Sequence, residues 1–239
     1  MARNFRLALP PIHGAGAQLA VAFLIVSVIT VLGKSVVAPF TLLVPAYVFE
    51  KYFVWQPLTY GFIETSPTGV IFGAIILWSI GGALESDWGR RRLFTFAVAT
   101  PAAAALVVLA MAPFLPRVEE MAFAGGTAMT SSLWVAYGLR VGRGQTNFWG
   151  MPVTGNMLAL IGVGFIFLDG AFNGWLKELP AVIALAFAFA YVQWGFPARL
   201  IERFGSWRLR KQLSRRTSQL KVVSGGERNM PTDSDKYLH

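Results

Sequence analysis

The most constraining feature of this chain is a series of apolar runs about twenty residues long, separated by short polar segments. An apolar helix of about 20 residues crosses the hydrocarbon of a bilayer and satisfies its own backbone polar groups there. Only 14% of the 239 residues are charged and 55% are hydrophobic, which leaves too little polar surface for a soluble globule of this size. The sequence therefore predicts an integral membrane protein.

Six membrane spans are predicted, forming an all-α bundle of transmembrane helices. Their approximate bounds are 17–37, 66–85, 93–113, 122–140, 151–170 and 179–197. The segment between the first two spans is too apolar for a free loop and is interrupted by Pro39, Pro45 and Pro57. We expect it to lie in the membrane interface, with its aromatic side chains at headgroup depth, namely Tyr47, Tyr52, Phe53 and Trp55.

The cations of the chain are distributed unequally between the two sides of a six-span arrangement. One side carries 17 of the 21 Lys and Arg residues, and the other carries Lys34, Lys51, Arg117 and Lys177. Basic loops stay on the cytoplasmic side of a membrane. The asymmetry predicts cytoplasmic N- and C-termini, and the long apolar run after the basic start predicts that the first span is not cleaved.

The net charge of +9 has two interpretations. Basic residues beside hydrophobic spans set orientation and bind anionic lipid, so a nucleic-acid partner is not expected. The chain contains no cysteine, which excludes disulfides and thiolate chemistry. No predicted span carries a set of histidines or clustered carboxylates suited to haem or a metal, so no cofactor is expected.

Residues 55–89, WQPLTYGFIETSPTGVIFGAIILWSIGGALESDWG, contain W-x-x-x-T followed by G-x-x-x-E-x-x-x-G. The motif residues are Trp55, Thr59, Phe62, Gly81 or Gly82, Glu85 and Gly89. This segment resembles the second-span signature of the rhomboid superfamily, and its amino-acid sequence is most similar to that of the noncatalytic eukaryotic Golgi branch. The resemblance covers most of residues 17–197 and implies a rhomboid-type six-helix fold. We expect the two glycines to permit a close helix contact and Glu85 to pair with Arg90–Arg92.

Active rhomboids, as the resemblance implies, use a serine within G-x-S-G on the fourth span and a histidine on the sixth. Matching Gly126 to the first glycine puts Ala128 at the nucleophile and Met129 at the second glycine, and neither Ser131 nor Ser132 restores the motif. The family's oxyanion-stabilising His and Asn correspond to Gly69 and Gly73 here. The two histidines, His13 and His239, both lie outside the predicted spans, so no base is available to activate a serine. The sequence predicts a protein without protease activity.

Other polar residues near or in the spans are candidates for function, because polar groups in a membrane are costly. They are Glu64, Asn156, Asp169, Asn173 and Gln193. Asp169 and Asn173 lie one helical turn apart at the outer end of the fifth span, where ordinary hydrogen bonding at a helix end is an equally good explanation. A proton or ion pathway would need acidic groups deeper in the membrane and on several spans.

Small residues recur within the spans at spacings that allow helices to approach closely. They are Gly69 with Gly73, Ala159 with Gly162 and Gly164, and Ala184 with Ala188. Most of these positions are expected to pack inside the bundle. Others could hold the helix of another membrane protein, and the sequence does not separate the two groups.

The chain divides into a membrane domain, 1–197, and a basic tail, 198–239. Between Arg199 and Lys221 eight cations accompany the single acid Glu202. The expected lipid or partner contacts are Trp207, Leu209, Arg210, Lys211, Leu213, Arg215, Arg216 and Leu220. Their spacing predicts either an amphipathic helix on anionic lipid at the cytoplasmic face or a simple positively charged stop after the last span. Residues from 224 onward have the composition of a flexible tail.

The sequence is compatible with three functions. The first is a non-enzymatic scaffold or assembly factor that binds other integral membrane proteins. The second is a permanent accessory subunit of a larger membrane complex, such as a respiratory or photosynthetic one. The third is a transporter or channel.

Overall fold

The computed structural model describes residues 13–148 and 151–194. Contacts divide the chain into two units, Met1–Phe196 and Pro197–His239, and all described residues belong to the first. The predicted contact residues of the tail, from Trp207 to Leu220, therefore lie outside the described residues.

The described chain is mostly helical. Its α-helices are α1 (Ala15–Leu32), α2 (Ala38–Thr41), α3 (Pro45–Glu50), α4 (Gln56–Thr59), α5 (Pro67–Trp88), α6 (Arg90–Met111), α7 (Pro116–Glu119), α8 (Gly126–Val141), α9 (Gly155–Asn173) and α10 (Leu179–Trp194). Two 3₁₀ turns, Tyr60–Phe62 and Ala112–Phe114, follow α4 and α6.

Among the described residues four helices are long and apolar enough to cross a membrane: α1, α5, α6 with its 3₁₀ extension, and α9. Helices α8 and α10 occupy the predicted fourth and sixth spans but contain only 16 residues each, or about 24 Å of helix. A transmembrane helical protein is thus confirmed, whereas the count of six spans is not established by helix length.

Several predicted boundaries need correction. The first helix ends at Leu32 rather than near residue 37, because the chain turns at Gly33. The fourth predicted span, 122–140, becomes helical only at Gly126. The all-α prediction also missed an antiparallel hairpin, in which β1 (Gln145–Phe148) pairs with β2 (Met151–Thr154). Helix α9, in the fifth predicted span, accordingly begins at Gly155, where the Thr154 side chain caps it.

Helix α8 lies at the centre of the bundle. Eleven of its 16 residues are buried, and it contacts α5, α6, α9 and α10. Three of its hydroxyl groups are satisfied within the helix, because Thr130, Ser131 and Ser132 each donate to one of its own carbonyls. Leu77 of α5 and Leu133 of α8 are fully buried in the core around it.

The segment between α1 and α5 folds into three short helices, α2, α3 and α4. Each carries a proline in its first turn, Pro39, Pro45 and Pro57, where the missing backbone N–H costs no hydrogen bond. The prolines that interrupt the apolar sequence therefore begin helices instead of breaking one long helix.

Candidate functional site

The first motif residues, Trp55 and Thr59, connect α4 to α2. The Trp55 indole Nε1–H donates to the Phe40 carbonyl over 2.9 Å, and the Thr59 hydroxyl donates to the Thr41 carbonyl over 3.1 Å. These bonds hold the short helices of the first loop together. In this part of the motif the side chains act on backbone groups and leave no reactive atom exposed for chemistry.

Sequence reasoning missed Gln56, which lies between these two motif residues. Its side chain is fully buried, its Oε1 accepts from the Val44 N–H over 3.0 Å, and its Nε2 donates to the Pro39 carbonyl over 2.9 Å. A buried amide that satisfies two backbone groups on different helices fixes their relative position. The polar residue within an apolar, proline-rich loop was the signal that could have identified it.

The two adjacent glycines of the motif lie where α5 crosses α1. A Cβ on Gly16 of α1 would come within 2.5 Å of the Gly82 nitrogen and 2.8 Å of the Gly81 carbonyl carbon. The backbones therefore approach closely at this crossing, and a side chain at Gly16 would require the two helices to move apart. Gly16 is the partner glycine, which sequence reasoning did not single out.

Glu85 lies one turn beyond the crossing, and its predicted pairing with Arg90–Arg92 is wrong. Its Oε2 accepts a hydrogen bond from the Gly16 N–H over 3.3 Å. Gly16 is in the first turn of α1, where backbone N–H groups have no partner within the helix. The carboxylate therefore caps the start of α1 from a neighbouring helix. Its negative charge also interacts favourably with the positive end of the α1 dipole.

Two of the three arginines, Arg90 and Arg92, bind other side chains. The Arg90 guanidinium donates to Gln18 Oε1 over 2.6 Å, and the Arg92 Nε–H donates to the Tyr191 hydroxyl over 2.6 Å. The acid that pairs with an arginine is Asp87, which lies 2.7 Å from Arg140 Nε. Since these contacts join α1, α6, α8 and α10, the structure brings the basic segments together at one end of the bundle.

Gly89 is the corner between α5 and α6. Its φ of +80° is a conformation that residues with a side chain rarely adopt. One residue separates Trp88, the last residue of α5, from Arg90, the first of α6. The glycine of the motif thus permits an abrupt reversal between two membrane-length helices.

The positions that the expected resemblance matches to rhomboid catalytic groups are packed. Ala128 and Met129 are buried in α8. A Cβ on Gly73 would lie 2.7 Å from the Phe23 ring, and a Cβ on Gly69 would lie 2.7 Å from the Glu64 side chain. The space beside these glycines is filled by side chains of the same protein.

Two other polar residues predicted from the sequence lie near helix ends. Gln193 lies near the end of α10, and Asn156 is exposed at the start of α9.

Acidic groups gather at the opposite end of the bundle from Arg90–Arg92. The buried Glu64 carboxylate accepts from the N–H groups of Thr65 and Ser66, from the Ser66 hydroxyl and from the Thr127 hydroxyl. These bonds tie the start of α5 to the start of α8. Asp169 accepts a hydrogen bond from the Asn173 amide within α9. This is the ordinary hydrogen bond at a helix end that the four-residue spacing of the two residues allows.

Glu178, immediately before α10, is the acidic residue that sequence reasoning did not identify. It is 7% exposed, and its Oε2 has no hydrogen-bond partner among the described residues. Burial, with smaller contributions from the neighbouring Asp169 and Glu64 carboxylates, raises the pKa of Glu178 to about 8.

In the part of the chain that the structure describes, no three His, Asp or Glu side chains converge closely enough to hold a metal ion. Glu64, Asp169 and Glu178 are therefore not arranged as a metal centre.

The sequence profile of one family, described as eukaryotic integral membrane protein (DUF1751), matches residues 17–195. The chain belongs to this family. The match extends from α1 to the end of α10, so family membership covers the whole described bundle and agrees with its four membrane-length helices. No curated protein matches the chain.

Proposed function

We propose that this member of the family is a noncatalytic rhomboid-type membrane domain that binds other transmembrane proteins, as a scaffold or an assembly factor. The observation that carries the proposal is the packing at the positions of the protease chemistry. Ala128 replaces the nucleophile, and the Phe23 ring and the Glu64 side chain fill the space beside Gly73 and Gly69.

The two serines of α8 support the proposed absence of protease activity. Ser131 and Ser132 are buried, and both hydroxyls donate to main-chain carbonyls in α8. A serine needs a base in hydrogen-bond reach to become a nucleophile. His13 is the sole histidine among residues 13–148 and 151–194, and it is exposed before α1.

Six spans with cytoplasmic termini form part of the proposal. The contacts Arg90–Gln18, Asp87–Arg140 and Arg92–Tyr191 bring basic segments to one end of the bundle. Glu64 and Glu178 lie at the other end. Basic segments stay on the cytoplasmic side of a membrane. If α8 and α10 also span it, all the basic segments named here lie on that one side.

Helix α9 supplies a surface for another helix. One stripe of its outer face consists of Met157, Leu160, Gly164, Phe167, Leu168 and Ala171, residues that recur at helical spacing. A Cβ on Gly164 would meet nothing within 4 Å, so its lack of a side chain serves no packing inside the described bundle. An open glycine between large apolar residues allows an external helix to approach the backbone closely.

The test is purification of the full chain from native membranes in mild detergent, followed by mass spectrometry. Gly164→Leu should release the copurifying membrane protein while leaving thermal stability unchanged, because the added side chain enters open space. Val28→Leu on the exposed face of α1 is the matched control and should retain the partner. Equal recovery of partners with both variants would contradict the proposed surface.

Stoichiometric copurification through every wash would favour the second proposal, a permanent accessory subunit of a larger membrane complex. Transient capture would favour the assembly factor. Solute flux through the purified protein in liposomes would favour a transporter or channel.

We also propose that the basic tail binds anionic lipid at the cytoplasmic face. The proposal rests on the interleaving of cations such as Arg210 with apolar residues such as Trp207 and Leu213. A peptide of residues 199–222 should become helical on anionic vesicles and much less so on neutral ones. If the peptide stays unfolded on both kinds of vesicle, the lipid proposal is wrong and the tail is better explained as part of a protein interface.

A further inference from the structure

A cleft of about 320 Å³ lies between the end of α1 and the short helices of the first loop. Its volume is at the lower end of the range of about 300–1,000 Å³ typical of small-molecule sites. Its walls are largely aliphatic, with Val31 and Leu42 among them, and the hydroxyl-bearing residues Tyr47 and Thr65 also line it. The cleft is therefore amphipathic.

Lys34 lines the same cleft. It follows the last residue of α1, Leu32, by two positions, which puts the ammonium group at headgroup depth if α1 crosses the hydrocarbon. Lys34 is exposed and forms no ion pair with a described residue. A second cation is close by, since Lys51 Nζ lies 3.8 Å from the centre of the Tyr47 ring.

The acidic groups around the cleft leave this positive charge uncompensated at its mouth. Glu64 is next to Thr65, but its carboxylate accepts four hydrogen bonds from Thr65, Ser66 and Thr127. Glu50 precedes Lys51, and Glu119 and Glu120 precede the lining residue Ala122; none of the three forms an ion pair with a described cation. Lys34 is the charged residue on the lining, and it has no ion-pair partner among the described residues.

We propose that this cleft binds a glycerophospholipid, with the lipid phosphate on Lys34 and an acyl chain along the aliphatic wall. An ammonium group at the membrane interface is complementary to a phosphate, and the Tyr47 and Thr65 hydroxyls can donate to glycerol or ester oxygens. This lipid site is on the face opposite Arg90–Arg92 and does not depend on the proposed protein partner or on the basic tail.

The experiment is native mass spectrometry of the full chain, delipidated in detergent and then mixed with one dioleoyl lipid at a time. Phosphatidic acid and phosphatidylcholine should be retained, whereas dioleoylglycerol, which lacks the phosphate, should not. Stronger retention of phosphatidic acid would mark net negative charge as the recognised property, and equal retention would mark the phosphate itself.

Lys34→Gln should weaken retention of the phosphate-bearing lipids by about fivefold, the effect of one cation at an anionic surface. Lys34→Arg should restore it, and Lys177→Gln, at an exposed lysine of the same end, should leave it unchanged. Val31→Trp, at an exposed lining position, should reduce retention by narrowing the cleft. Equal retention of dioleoylglycerol, or identical retention by the Lys34 and Lys177 variants, would overturn the proposal.

Discussion

Replacing Glu178 with Gln should remove most of the pH dependence of stability near neutral pH. Burial, with the nearby Asp169 and Glu64 carboxylates, raises the pKa of Glu178 from 4.5 to about 8. The folded protein therefore holds a proton that the unfolded chain releases between these values. The stabilisation from this group is complete below pH 4.5 and is lost as the pH rises to 8.

The slope of this loss follows from proton linkage. One extra proton on the folded state changes the free energy of unfolding by about 1.4 kcal/mol per pH unit. From pH 6 to pH 7.5 the loss is about 2 kcal/mol. For a chain of this size that corresponds to a fall in Tm of roughly 4–8 °C. Glutamine carries no titratable proton, so the variant should lack this slope.

The assay is the thermal unfolding of detergent-solubilised protein, followed by intrinsic tryptophan fluorescence at pH 6, 6.5, 7 and 7.5. Glu120→Gln is the matched control, because Glu120 is an exposed glutamate of the described chain, and it should follow the wild type. Parallel Tm curves for wild type and Glu178→Gln would refute the assignment of the proton to Glu178.

Three further substitutions test the packing of the motif in thermal unfolding. Glu85→Ala should cost about 1 kcal/mol, because the Gly16 N–H loses its acceptor, and Glu85→Gln should recover part of the loss; full stability of the alanine variant would exclude a capping role. Gly16→Val should cost at least about 1–3 kcal/mol from overpacking against Gly82, and an unchanged Tm would show that the helices do not touch. Gln56→Leu should cost about 1–3 kcal/mol by leaving the Val44 N–H and a carbonyl unpaired, whereas a neutral result would exclude Gln56 as the link between the short helices.

Sequence periodicity and length predicted the four membrane-length helices but not all of their ends. Helices α5 and α6 were found because long apolar runs stop at Gly89 and the arginines. The hairpin before α9 was missed because an apolar strand of four residues merges with the apolar helix that follows it. Hydropathy does not separate the two; the cap at Thr154 does.

The partners of charged residues could not be deduced from proximity along the chain. Glu85 is five to seven residues from Arg90–Arg92, yet its carboxylate caps Gly16, 69 residues away in the sequence. Glu178 was missed because its burial comes from the packing of the turn before α10 and not from its sequence surroundings, where Lys177 is exposed. Such contacts depend on helix packing, which a single sequence does not specify.

The most direct test of partner binding by α9 is site-specific photo-cross-linking in native membranes, with a photoreactive residue at Leu160, Leu168, Phe165 or Ile25. Leu160 and Leu168 are on the stripe around Gly164, whereas the exposed Phe165 is about 100° away on the same helix. Cross-links to one membrane protein at Leu160 and Leu168, and much weaker ones at Phe165 and at Ile25 of α1, are predicted. Equal cross-linking at all four positions, or cross-links to lipid alone at Leu160 and Leu168, would contradict the account.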